Sequence, residues 1–200
     1  MTKRKIAPPS LSHDAICAAA LDVIDRDGLD AFSTRKLGRA LGVEAMAIYH
    51  YYPSKDALLD AVSDHLTAHL VELIVDDGDF IATLRRIAHA FRAVARAHPE
   101  AFPLLATRRF ASAGTYTFME RLFELARTRG IPDPIAARFY RVVSSYVSGF
   151  ALNELATPPR RIPKRFARVA AVSKWLSPRH LDETFHFGLE LQLAALAKVA

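Results

Sequence analysis

The side chains best equipped for chemistry lie between Thr34 and Lys55. Arg35, Lys36, Arg39 and Lys55 are interleaved there with Thr34, Tyr49, His50 and Tyr51. Guanidinium and ammonium groups neutralise phosphates, while hydroxyl, phenol and imidazole groups hydrogen-bond phosphate oxygens and base edges. That mixture suits contact with a nucleic acid better than the making of bonds. The chain has no Gly-rich phosphate loop, no Cys/His metal spacing and no Gly-x-Ser-x-Gly elbow. His65 and His69 stand four apart, a spacing that suits a metal, yet no third ligand is apparent and solvated or core histidines are the preferred reading. Cys17, the only cysteine, sits in an alanine-rich stretch and reads as a core thiol.

These side chains need a rigid frame, and the same stretch supplies one. Ser33 or Thr34 can cap a short helix, since a hydroxyl accepts from an unpaired amide two or three residues on. Leu37 and Leu41 then share a face with Ala40 beside them, while Arg35, Lys36 and Arg39 project elsewhere. Gly42 stands where a left-handed cap is wanted, with Val43 packing back. A second helix restarts over Glu44–Tyr51, with Ile48 and Tyr52 reaching the core. Pro53 stops it, and Ser54 caps a third helix opening Lys55-Asp-Ala-Leu-Leu. Two short helices across a tight glycine turn form a helix-turn-helix, whose second helix can enter the DNA major groove.

Residues 10 to 65 resemble the tetracycline-repressor (TetR) family of bacterial transcription regulators. The resemblance rests on Ile16-Cys-Ala-Ala-Ala-Leu, Asp27-Gly28, Thr34-Arg-Lys-Leu, Leu41-Gly-Val, Ile48-Tyr49 and Ser54-Lys55-Asp-Ala-Leu. Weaker similarity continues through Ala97-His-Pro-Glu, Gly149-Phe-Ala-Leu-Asn-Glu154 and Phe187-Gly-Leu-Glu-Leu, and looks closest to the tetracycline-binding type. It implies that Arg35 contacts a guanine, that Ala45, Met46 and Ala47 stand at the front of the recognition helix, and that Tyr49 and Lys55 clamp phosphates. Ala45, Met46 and Ala47 can touch thymine methyl groups but cannot exchange hydrogen bonds with bases. Specificity is therefore expected to rest more on Arg35, Tyr49, His50 and Tyr51, and the operator of the tetracycline-binding type does not transfer.

Net charge by itself carries no argument for DNA. The formal charge is +6, but residues 1–60 hold eight basic and eight acidic side chains. The excess comes mainly from residues 155–181, with seven Lys/Arg and no acid. Lys3, Arg4 and Lys5 form a basic arm over residues 1–9, expected to be flexible. No apolar run approaches the roughly 18 residues of a membrane span. The N-terminus has charge without an apolar core behind it, so no signal peptide is expected and the chain reads as cytoplasmic.

Beyond Lys55 the pattern is helical throughout. Helices are expected over 55–75, 80–97, a short stretch from Pro99 to Leu105, 115–129, 134–155 and 178–198, with Thr157–Pro163 as a linker. The expected architecture is all-α: a helix-turn-helix domain over 10–54 and an effector-binding and dimerisation domain over 55–200. The 134–155 helix and the last helix carry apolar residues on several sides, and pairing each with its symmetry mate gives a four-helix homodimer interface.

Eleven of twelve phenylalanines lie after residue 79, enough for a core and an apolar pocket. Phe91, Phe102, Leu104, Thr107, Arg108, Tyr116, Tyr140 and Ser144 are the expected lining. Arg108 either pairs an acidic effector group or serves as a surface or structural arginine. In the tetracycline-binding type a histidine holds a magnesium–drug chelate; Leu104 or Leu105 takes its place here, which implies no metal, no cofactor and a hydrophobic or aromatic effector. The sequence thus points to a repressor, not an enzyme, that a small-molecule effector releases from double-stranded operator DNA. Two alternatives stay open: a DNA-binding regulator with a filled core, and an all-α carrier or enzyme with a vestigial reader.

Overall fold

The computed structural model describes residues 11–76, 78–108, 112–156, 162–163 and 165–198. The basic arm at 1–9 lies outside them, as do 157–161 and 164 of the expected linker and basic segment. Three short helices open the chain: α1 (His13–Asp27), α2 (Thr34–Leu41) and α3 (Ala45–Tyr49). Two long ones follow, α4 (Lys55–Glu72) and α5 (Phe80–Ala97), then α6 (Phe102–Thr107), α7 (Ala113–Thr128) and α8 (Asp133–Leu155). The short α9 (Ala167–Val172) and a single 3-10 turn at Pro178–His180 precede α10 (Leu181–Leu196). No strand occurs among the described residues.

Local side-chain chemistry explains five of the helix starts. Ser12, Ser33, Ser54 and Ser112 each accept, through the hydroxyl, the amide three residues on, and Asp79 does so through its carboxylate. Each such cap is worth about 1 kcal/mol against alanine. Of the two candidate caps for α2, Ser33 takes the role. Gly42 ends that helix in the left-handed region, φ 69°, with its amide on the Arg39 and Gly38 carbonyls.

Several boundaries differ from expectation. Ala40 is exposed, and Gly38 is buried in its stead because the α2–α3 corner closes over it. Helix α3 is short, and Tyr51 and Tyr52 follow in a turn whose amides both reach the Ile48 carbonyl. Helix α4 stops at Glu72, and α10 starts at Leu181 because Pro178 favours the tighter turn before it. Helix α9 falls where no helix was expected.

Two cores matter for function. The first joins α1, α2, α3 and the first half of α4 to Val94, Phe102, Leu104 and Ala151 from the second half of the chain. The second clamps Ala88, Val143 and Val147 against Phe185, Leu189 and Leu193, binding α5, α8 and α10 together. The N-terminal helices therefore share their packing with α6 and the ends of α5 and α8. His98 strengthens that seam, its Nδ1 lying 2.7 Å from Asp25 on α1.

Candidate DNA interface and effector cavity

The α2–α3 corner leaves Arg35, Arg39, Tyr49 and His50 exposed and Thr34 and Lys36 half-buried. Thr34 and Tyr49 meet through their hydroxyls at 3.3 Å, cross-linking the start of α2 to the end of α3. Lys55 donates to the Phe32 carbonyl at 3.0 Å and lies over the Phe32 ring. This holds its ammonium beside the α2 N-terminus, where free amides already favour an anion. Lys36 pairs with Asp27 at 3.1 Å. Arg26 and Lys36 together hold that carboxyl at about 2. Arg35 and Arg39 are exposed, and neither has a hydrogen bond or ion pair among the described residues. Met46 is 68% exposed and His50 is exposed, while Ala45 and Ala47 are half-buried.

Tyr51 is placed differently from the expected base-reading role. Its hydroxyl donates to the Leu11 carbonyl at 2.8 Å, and its ring stands edge-on to His13 at 5.2 Å. These bonds commit it to bracing α1. Tyr52 packs inside as expected: its phenol donates to the His13 carbonyl, leaving the oxygen to accept from the Cys17 thiol at 3.1 Å. Burial first, and then the bond to Cys17, push the Tyr52 phenol far above its usual range.

A cavity of about 140 Å³ opens between α4, α5, α7 and α8. Phe80, Phe91, Phe118, Phe123, Phe139 and Tyr140 give its wall aromatic faces among aliphatic side chains, and Ser63, Thr67, Thr115, Ser144 and Ser148 add hydroxyls. Phe91, Arg108, Tyr140 and Ser144 are among its lining residues. The other four residues expected there are not. Phe102 and Leu104 are buried in the core shared with the N-terminal helices and do not line the cavity; Leu105 belongs to that core too but also borders the cavity. Thr107 bonds back to the Pro103 carbonyl, and Tyr116 is exposed while its neighbour Thr115 turns inward.

Arg108 is the one charged residue among the described cavity lining. Its guanidinium reaches Asp56 at 2.5 Å and Asp60 at 2.6 Å, both on α4, which fits the structural role rather than an open anion site. One turn further along, Asp64 accepts from the Ser112 hydroxyl and from the Gly114 amide at 3.2 Å. Asp56, Asp60 and Asp64 fall four apart on α4 and hold the end of α6 and the start of α7 on one face.

A second polar cluster ties the far side. Arg92, only 4% exposed, bonds Glu154 at 2.7 and 3.0 Å and Asp182 at 2.9 Å. Its guanidinium also lies 4.4 Å from the Phe185 ring centroid. Arg96 joins the same two carboxylates. Burial pushes the Glu154 carboxyl up, but bonds from Arg92 and Arg96 outweigh it and hold the group below its usual range.

Family models match both parts of this architecture. Residues 16–62 match the description "Bacterial regulatory proteins, tetR family", and residues 75–200 match "Tetracyclin repressor-like, C-terminal domain". The chain belongs to the TetR family. It is 29% identical over 150 residues to the HTH-type transcriptional repressor DrrR1 of Streptomyces coeruleorubidus, covering 74% of this chain and 55% of that protein. The chain therefore spans little more than half of that relative. It is 25% identical to the class G tetracycline repressor of Vibrio anguillarum, covering 94% of this chain and 95% of that one. The crystal structure of a possible TetR family regulator from Streptomyces coelicolor A3(2) superposes with a TM-score of 0.81 at 28% identity, covering 94% of this chain and all of the other. Most of the cavity lining was not singled out by the sequence; Ser63, Thr67, Thr115, Phe118, Phe123 and Phe139 are examples. Ser63 and Thr67 offered only a four-residue spacing as a signal.

Proposed function

We propose that this TetR-family chain is a ligand-responsive DNA-binding transcriptional regulator, a repressor that a small hydrophobic or aromatic effector releases from its operator. The observation that carries the reading is that one helix, α4, walls the cavity with Ser63 and Thr67 while its first turn carries Lys55 beside the α2–α3 corner. Arg35, Thr34, Tyr49, His50 and Met46 form the proposed DNA contacts, Ala45 and Ala47 pack close to the groove floor, and Lys55 holds a phosphate. An effector that displaces α4 re-aims the reader, because α4 shares a core with α1, α2 and α3.

The active form is proposed to be a homodimer. Phe187 is 65% and Leu191 59% exposed on α10, and Val142 and Leu152 are exposed on α8. Phe187 and Leu191 stand one turn apart on α10 and Val142 and Leu152 ten residues apart on α8, and this apolar surface would be covered once α8 and α10 meet their symmetry mates. Such a dimer presents two recognition helices about 34 Å apart, one helical turn of DNA. Coupling of about 1–3 kcal/mol between effector and DNA then gives a usable switch.

The test is binding to the DNA upstream of the chain's own gene, at several salt concentrations and against competitor DNA. Tight, salt-dependent, specific binding by the wild type and lost specificity in Arg35→Ala are expected. Binding to no genomic fragment would reject the regulator.

A further inference from the structure

We infer that the cavity selects an uncharged aromatic ligand bearing a hydroxyl group, and that Asp56 and Asp60 impose this selectivity by neutralising Arg108. The inference rests on the effector-cavity reading above.

The charge argument comes first. Arg108 is the one group among the described lining that could balance an anion, and two α4 carboxylates already take up its guanidinium at 2.5 and 2.6 Å. A carboxylate entering the cavity would shed its water without gaining a counter-charge, which is strongly unfavourable in an apolar site. A cation would meet aromatic faces, which attract it, but it too would shed its water, and no described lining residue is acidic to pair with it. A neutral ring suffers neither penalty.

The hydroxyl argument is independent of charge. Ser63 Oγ donates to the Leu59 carbonyl at 3.0 Å, and Thr67 Oγ1 donates to the Ser63 carbonyl at 3.0 Å. Both protons are spent within α4, so the oxygens that reach the cavity offer lone pairs. On the α4 side of the cavity they suit a ligand that donates, such as a phenol, over an ether or ketone that only accepts. Size sets the scale: about 140 Å³ is close to the roughly 150 Å³ apolar cavity that takes up benzene, so one ring fits without rearrangement.

Isothermal titration of the full chain at pH 7 with 4-propylphenol, 4-propylanisole and 4-propylbenzoate tests both arguments. The phenol should bind, and the benzoate should bind at least about tenfold more weakly, the scale of one charge-assisted bond. Asp56→Asn/Asp60→Asn should raise benzoate affinity by about tenfold with the phenol unchanged within about twofold. If the double variant melts early, Asp60→Asn alone carries the test in the same direction. Thr67→Val should erase the preference for phenol over anisole. Equal binding of benzoate and phenol to the wild type, or benzoate still excluded from a folded Asn variant, would overturn the inference while leaving the cavity as an effector site. If none of the three compounds binds, or if binding persists in Ser144→Phe, the effector-cavity reading fails and the inference with it.

Discussion

Arg35 and Arg39 face outward without partners among the described residues, whereas Lys36 and Lys55 are already engaged. A phosphate must compete with Asp27 for Lys36, but nothing described competes for Arg35. Replacing Arg35 by alanine should therefore weaken specific binding by about 1–3 kcal/mol; a lost phosphate contact alone would instead lower the salt slope by about 1 and weaken all sequences alike. Competition assays at two or more salt concentrations separate these outcomes. Away from the reader, Glu154 predicts a pH effect. Its folded carboxyl lies below its unfolded value, so its contribution to stability is complete above the unfolded value of about 4.3 and is lost as pH falls through the lower folded value. Glu154→Gln should lower stability at pH 7 and flatten the acid side of a melting-temperature profile. Arg92→Ala should cost about 3–5 kcal/mol at neutral pH, since it leaves a buried carboxylate with less compensation; denaturant titration measures it.

At the scale of elements, the α2–α3 corner depends on a close backbone approach. A Cβ on Gly38 would stand 2.8 Å from the Val43 carbonyl oxygen and 3.3 Å from the Ala45 amide, both backbone atoms that cannot swing aside. Gly38→Ala should cost about 1–3 kcal/mol, the range of overpacked sites, and abolish DNA binding before it abolishes helicity. Circular dichroism melts alongside gel shifts would show this order. The corner itself was legible in the sequence because its determinants are local: Ser33, Gly42, Pro53 and Ser54 act on backbone within a few residues. The cavity was only half legible. Neighbouring helix positions differ by 100°, so the choice between Leu104 and Leu105, or between Thr115 and Tyr116, turns on a rotation that composition does not set. The partners of Arg108 lie 48 and 52 residues away, beyond any local pattern. Helix α9 escaped notice for another reason: none of its residues is buried, so it carries no core-facing stripe to read.

The whole molecule leaves apolar surface that a single chain does not cover. Phe187 and Leu191 on α10 lie beside an open groove that also includes Trp175, His186 and Ala194. Leu191→Glu should convert the proposed dimer to monomer in light scattering after size exclusion. Affinity for a two-half-site operator should fall far more than affinity for a single half-site, while the monomer keeps its helicity. No described helix is long and apolar enough to cross a membrane.

The seclusion of Cys17 has a practical consequence. The chain's only thiol is buried beneath the Tyr52 phenol, and burial raises it above its ordinary range, so alkylating reagents should leave it untouched in the native fold. A single cysteine introduced at exposed Ala40, outside the proposed DNA contacts, would then accept a spin label without removal of the natural one. In the proposed dimer two such labels would report the separation of the two readers, which is expected to change once the cavity is filled.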